Sequence, residues 1–395
     1  MPRNAILKIK DGNLSDTIKD FLKGLLEKKL VEALLVPVEL PSGRNVMLTL
    51  VTKVEKLEDA KPLAPVMPVN AARIVSTLTK VAPSEKRIGV VLRSCELRAL
   101  TELVKLKQAD LTNLILIGID CLGTYSVATY SKLSRENAST SHESRVTRGG
   151  EVSELGTRNS ELSLREACQI CEYPAPINAD ITIGLFGMDQ QEGILLQAAT
   201  PEGERLLSTE FIEFIELGWG GELNELNELN KLRTHALAAL TEERVRQRDL
   251  LLQQAEQELK GLDNMLQFLA PCVACHNCRI ACPICYCKEC LLDSPTMVEF
   301  EAEKYLNWAQ QKGALRMPAD SLLFHLVRLN HMSASCVGCG LCEDACPNSI
   351  PLMRLFRLVG LRVQRLFNYL PGRSLDDELP LTAYREEEFS ELGYK

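Results

Sequence analysis

Residues 87–121, RIGVVLRSCELRALTELVKLKQADLTNLILIGIDC, read as strand, helix, strand, with a cysteine just beyond the end of each strand. Arg87 to Leu92 is a short apolar run, Glu96 to Lys107 carries helical spacing, and Leu114 to Ile119 is a second apolar run. Continuous runs of this length, separated by helix patterns, mark strands buried on both faces, and therefore a parallel sheet with crossover helices. Cys95 and Cys121 then fall at the carboxyl ends of strands, the edge at which such sheets bind ligands.

The same alternation extends outward. A helical stretch around Ser15 to Leu35 leads into an extended, proline-punctuated segment from Val36 to Val69, and Asn70 to Val81 looks helical. On the other side Ile181 to Phe186 reads as a third strand, preceded by Cys168 and Cys171 in a C-x2-C pair. Four thiols meeting at one sheet edge would form a complete cluster site, although buried core cysteines could show the same spacing. Ser131 to Ser163 is polar, a surface loop or lid by composition or else a disordered segment. Residues 1–220 are thus expected to be an α/β domain with a mostly parallel sheet.

Composition changes at Glu222. GELNELNELNKL is a low-complexity run, and Leu252, Ala255, Leu259, Leu262, Leu266 and Leu269 then recur at spacings of three and four, interrupted by Gly261. Residues 221–265 are expected to be a helical linker, packed on a neighbouring domain in preference to forming a dimerising coiled coil.

Eleven of the fifteen cysteines lie between residues 272 and 346. Cys272, Cys275, Cys278 and Cys282 precede Pro283, and Cys336, Cys339, Cys342 and Cys346 precede Pro347; both blocks spell C-x2-C-x2-C-x3-C-P. Thiolates at that spacing are what a 4Fe-4S cube requires, the fourth of each block reaching across to the other cube. Zinc would favour two separated pairs without the C-x3-C-P tail. Crosswise ligation predicts one cube on Cys272, Cys275, Cys278 and Cys346, and another on Cys336, Cys339, Cys342 and Cys282. The 54 positions from Cys282 to Cys336 are more than a compact bacterial ferredoxin uses. Helix patterns at Met297 to Gln310 and Ala319 to Leu329 make residues 266–369 an α-helical ferredoxin domain, followed by an acidic tail over 370–395. Cys285, Cys287 and Cys290 are left over; they either hold a fourth cluster with an outside ligand or replace ligands assigned above. His276, between Cys275 and Cys278, is the nearest non-cysteine candidate, but it reads better as a hydrogen-bond donor behind the ligands or a surface residue.

The remaining composition excludes several classes. Apolar content of 46% and charged content of 25% are those of a soluble protein. No run of eighteen apolar residues is present to span a bilayer, and the N-terminal MPRNAILKIKDG lacks a signal core, so the expected location is a reducing cytoplasm. A net charge of −8 without a basic block argues against a nucleic-acid partner.

Three segments carry a family resemblance. RSCELRALTEL at 93–103, GIDCLGTY at 118–125 and CQICEYPAPINADITIGLFG at 168–187 resemble the β subunits of deazaflavin-reducing hydrogenases and formate dehydrogenases. The resemblance implies that Cys95, Cys121, Cys168 and Cys171 hold one 4Fe-4S cluster beside a flavin, and so implies FAD as a further cofactor. That family usually continues for a further stretch after this strand, carrying part of the flavin and deazaflavin site; here only about thirty residues separate Gly187 from the LNE run, and no flavin ligand can be named. RLNHMSASCVGCGLCEDACPNSIPL, residues 328–352, is similar to heterodisulfide-reductase small subunits and other α-helical ferredoxins.

Three 4Fe-4S clusters are therefore expected, or four if the leftover thiols hold one. No Ser/His/Asp or Cys/His catalytic arrangement is evident, so no catalytic residue is assigned. The expected function is an electron-transfer subunit. It would work between a catalytic subunit of formate dehydrogenase or hydrogenase type and a flavin, deazaflavin or heterodisulfide-reductase-like acceptor. The alternatives are a self-contained flavoprotein reductase of a small molecule and a scaffold stapled by clusters.

Overall fold

The computed structural model describes residues 4–10, 12–136, 163–207, 211, 219–220, 223–287, 290–294, 303, 306–307, 310–311 and 320–383. Residues 137–162 of the polar stretch, most of Met297 to Gln310 and the tail beyond residue 383 lie outside them. The chain forms two compact units, one made of Met1–Leu250, Val337–Gly340 and Pro371–Asp377, the other of Leu251–Cys336, Leu341–Leu370 and Glu378–Lys395.

The first unit contains, in chain order, β1 (Asn4–Lys8), α1 (Leu14–Glu27), β2 (Ala33–Glu39), β3 (Val46–Val51), α2 (Ala71–Thr79), β4 (Ile88–Arg93), α3 (Ser94–Lys105) and β5 (Leu114–Ile119). It continues with α4 (Val127–Glu136), α5 (Glu166–Gln169), β6 (Ile181–Gly184), β7 (Gly193–Ala198), α6 (Pro201–Leu206), β8 (Trp219–Gly220) and most of α7 (Leu223–Glu258). One sheet runs in the order β3-β2-β4-β5-β6-β7-β1-β8. Its centre, β2-β4-β5-β6, is parallel. β3 is antiparallel to β2 at one edge, and beyond β6 the strands β7, β1 and β8 each oppose their neighbour. The α/β architecture with a parallel centre is the expected one. The pairings of β1 with β7 and β8 could not be read, because they join segments far apart in the chain, whereas β3 and β7 pair with strands close by in sequence.

Helix α1 lays Ile18, Phe21, Leu22 and Leu25 into the core. It stops at Glu27, short of the Leu35 expected from its apolar pattern, because Lys29 turns the backbone into the left-handed region (φ 54°). Leu34 and Leu35 then belong to β2. Asn70 caps α2 by accepting from the Ala72 N–H at 3.0 Å. The buried Glu96 accepts from the Arg93 N–H and the Ala71 N–H, each at 2.9 Å, tying the start of α3 to the start of α2. That double bond fixes the turn which carries Cys95.

In the second unit α7 ends and Gly261 (φ 90°) breaks the helix before α8 (Leu262–Leu269). Leu252, Ala255, Leu259 and Leu269 are buried, whereas Leu262 and Leu266 are exposed, so the apolar stripe is not one continuous face. Then follow α9 (Asn277–Ala281), α10 (Asp320–Met332), α11 (Leu341–Asp344) and α12 (Leu352–Leu366). α12 fastens the approach to the second cysteine block: Gln364 Nε2 donates to the carbonyls of Ser333 and Cys336, each at 3.0 Å. No described helix is long and apolar enough to cross a membrane.

Candidate iron–sulfur centres

Five cysteines line a cavity of about 400 Å³ in the first unit: Cys95, Cys121, Cys168, Cys171 and Cys339. Cys95 opens α3 directly after β4, and Cys121 follows β5 by two residues. The short helix α5 and the turn after it supply Cys168 and Cys171. The four thiols expected at the strand ends are brought together. Cys339, expected among the ferredoxin ligands, lines the same space.

The wall is cationic as well as sulfur-rich. Arg93, Arg165 and Arg244 all line it. Arg165 donates through Nε and Nη2 to the Thr124 hydroxyl, at 2.9 and 2.6 Å, and approaches the Cys168 sulfur at 3.8 Å. Arg244 donates to the carbonyls of Cys171 and Leu122, each at 3.4 Å. Burial, the Glu96 carboxylate and the neighbouring thiols hold Cys95 well above the ordinary thiol range. Burial and Cys168 push Cys121 up to about 12, against the pull of Arg93. Burial acts to raise Cys168 too, but Arg165, Thr124 and Arg244 together bring it below its ordinary value. Buried thiols of this kind become thiolates only beside a cation. The guanidiniums supply part of that charge, and the donor set fits an iron–sulfur cube for the rest.

Asp120, the residue before Cys121, anchors this edge of the sheet. Its carboxylate accepts from both Nη atoms of Arg233 on α7 and from the N–H groups of Leu185 (2.7 Å) and Phe186 (3.1 Å) after β6. The pair is buried on both sides. Gly187 lets α7 pass, since a Cβ there would stand 2.6 Å from the Arg233 nitrogen. Sequence reading picked out the cysteine of GIDCLGTY and missed the aspartate beside it, because its partners lie 65 to 113 residues away.

In the second unit Cys272, Cys275, Cys278 and Cys346 line a concavity of about 310 Å³. Ala274 and His276 both have left-handed backbone (φ 50° and 57°), which curls the first block into a tight wrap. His276 stacks on Phe324 with ring centres 4.0 Å apart. Burial raises Cys272, partly offset by the Ala274 N–H, and raises Cys278 to about 11 despite Arg328. The buried His325 points Nε2 at the Cys272 sulfur from 3.5 Å, while its Nδ1 has no hydrogen-bond partner. Burial, Arg328 and His276 pull it down to about 4, so it is neutral. The presence of Cys346 with three thiols of the first block is the grouping that crosswise ligation requires.

Among the described residues no set of three or more His, Cys, Asp or Glu side chains closes on a single ion. The thiols instead line the two spaces described above. Cys285 is buried, with burial holding it up at about 12, Cys287 is exposed and Cys290 half-buried; neither cavity includes any of them. Arg328, Arg165, Arg244 and His325 carried no signal in the sequence, since nothing in their spacing distinguishes them from surface charges.

Residues 85–215 match the family model for the C-terminal part of the coenzyme F420 hydrogenase/dehydrogenase β subunit, and residues 331–351 that for a 4Fe-4S binding domain. The chain is 27% identical to the F420-dependent formate dehydrogenase subunit beta of Methanocaldococcus jannaschii, over 95% of this chain and 96% of the relative. It is 25% identical to the F420-dependent formate dehydrogenase 1 subunit beta of Methanococcus maripaludis, over 94% of each. A chain in a structure of the F420-reducing [NiFe] hydrogenase complex from Methanosarcina barkeri aligns with a TM-score of 0.43 and 12% identity, covering 66% of this chain and 93% of that one.

Proposed function

We propose, for a chain that carries a coenzyme F420 hydrogenase/dehydrogenase β-subunit domain and a 4Fe-4S binding domain, that it is the iron–sulfur electron-transfer subunit of an oxidoreductase complex. It relays electrons between a catalytic subunit of formate dehydrogenase or hydrogenase type and a flavin, deazaflavin or heterodisulfide-reductase-type acceptor. The likeness to two formate dehydrogenase β subunits along nearly the whole chain favours formate dehydrogenase as the partner. The observation that carries the reading is the gathering of thiols into two cavities, one in each unit.

Bound 4Fe-4S clusters would supply one-electron transfer; the protein supplies placement and potential. Cys95, Cys121, Cys168 and Cys171 would hold one, and Cys272, Cys275, Cys278 and Cys346 another. The guanidiniums of Arg165 and Arg244 offset the negative charge of the thiolates. Arg328 directs a donor at the sulfur of Cys278, and His325 Nε2 lies 3.5 Å from that of Cys272. Cys282, Cys336, Cys339 and Cys342 would hold a third cluster.

The isolated chain tests this reading. Purified without oxygen, it should be reduced by dithionite and reoxidised by a viologen dye, and it should not oxidise formate or hydrogen. Fuel-dependent activity should appear only when a catalytic subunit is added. Formate or hydrogen turnover by the chain alone would overturn the assignment.

A further inference from the structure

The cavity at the strand ends holds one thiol more than a cube takes. Cys95, Cys121, Cys168 and Cys171 come from the sheet and the segments that follow its strands. Cys339 comes from the second cysteine block, whose neighbouring members Cys336 and Cys342 stand three residues to either side and are not among the cavity's lining. A 4Fe-4S cube has four irons, each taking one thiolate, and the C-x2-C-x2-C spacing of that block already commits Cys339 elsewhere. Its place in this wall needs a different explanation.

The segment is held there. Arg98, on α3 one turn beyond Cys95, is 1% exposed; its Nη1 donates to the Val337 carbonyl at 3.3 Å and its Nε to the Pro371 carbonyl at 2.9 Å. The guanidinium lies 4.1 Å from the centre of the Tyr173 ring, which itself lines the cavity. Gly338 and Gly340 flank Cys339 with left-handed backbone (φ 72° and 73°), a tight loop that presents the thiol between two residues without side chains.

We propose that Cys339 is the thiolate through which one electron passes from the second-block cluster to the cluster of the strand-end cavity, with Arg98 as the residue that positions it. The proposal rests on the iron–sulfur reading above. No bond forms or breaks and no proton moves: the second-block cluster is oxidised by one electron and the strand-end cluster is reduced by one. Electron transfer falls off steeply with the gap to be crossed. A sulfur bonded to one cluster and set in the wall around the other shortens that gap.

The test is paramagnetic resonance on anaerobic, fully loaded chain during stepwise reduction with dithionite. In the unaltered chain the strand-end signal, identified by its loss in Cys168→Ser, should broaden when the second-block cluster is also reduced. In Cys339→Ser the second-block signal should change while the strand-end signal persists, and electron exchange between the two should slow at least tenfold. Arg98→Lys should weaken the mutual broadening and leave both signals present. Loss of the strand-end signal in Cys339→Ser, with the second-block signal intact, would make Cys339 a ligand of the strand-end cluster and overturn the proposal. Absence of mutual broadening in the unaltered chain would overturn it without recourse to any variant. A chain that takes up no iron would defeat the iron–sulfur reading itself.

Discussion

Arg328 places one guanidinium nitrogen 3.0 Å from the sulfur of Cys278 and another 3.1 Å from the carbonyl oxygen of the same residue. It is buried between the rings of Phe324 and Phe356, and the thiols of Cys278, Cys282, Cys342 and Cys285 raise its pKa against the opposing effect of burial. A fixed positive charge bonded to a ligand sulfur favours the form of the cluster that carries one more electron. Removing it should make the first-block cluster harder to reduce. A charged hydrogen bond worth about 1.5–3 kcal/mol corresponds to about 60–130 mV for one electron. Arg328→Met should therefore lower that potential by this order, and Arg328→Lys by less. A redox titration showing no change in the Met variant would refute the role.

Iron content separates the ligand assignments. Three cubes require about twelve irons per chain. About eight would remove one of the three proposed sites, and Cys168→Ser would then show whether the strand-end site is the missing one. About sixteen would give Cys285, Cys287 and Cys290 a cluster of their own, completed by a ligand from outside the triplet. The measurement is iron per chain in protein purified and analysed without oxygen.

Cys346 shares a concavity with Cys272, Cys275 and Cys278. Replacing it by serine should alter the cluster built on the first block, even though Cys346 closes the second block in sequence. Paramagnetic spectra in which only the second-block cluster changes would show ligation within blocks.

The buried pair of Asp120 and Arg233 makes a prediction about stability. Asp120→Asn leaves the Arg233 charge without its partner in the interior and should cost about 3–5 kcal/mol. Pairing it with Arg233→Met should recover part of that loss, because no unpaired charge then remains. Denaturant unfolding of both variants checks the order; a double variant less stable than Asp120→Asn would contradict it.

Much of the central sheet was legible because its strands are buried on both faces. Leu114 to Ile119 was read to the residue, since five apolar side chains broken only by Gly118 leave no competing period. β2 was swallowed by the helix before it: Leu34 and Leu35 continue the apolar pattern of α1, and only the backbone turn at Lys29 separates them. β7, Gly193–Ala198, was missed although it pairs with β6 close by in sequence; its second pairing, with β1, joins residues nearly two hundred positions apart and leaves no local pattern. The same limit governs the centres. The cysteine spacings named the thiols, whereas the buried cations around them and the place of Cys339 depend on contacts that no local pattern records.

The α/β unit takes its last pieces from far down the chain. The Gly372 N–H donates to the buried Glu102 carboxylate at 2.8 Å, and a Cβ at Gly372 would stand 2.4 Å from the Arg98 Cα. During synthesis α3 leaves the ribosome more than two hundred residues before this cap does, and the last strand of the sheet about one hundred and fifty before it. Until then Arg98 and Glu102 have neither the Pro371 carbonyl nor the Gly372 amide. In the interval Lys105 serves Glu102 from within the same helix, and the hydrogen bonds that seat residues 371 and 372 on α3 are still to form. The α/β unit is thereby finished late, with residues 371–377 acting as its latch.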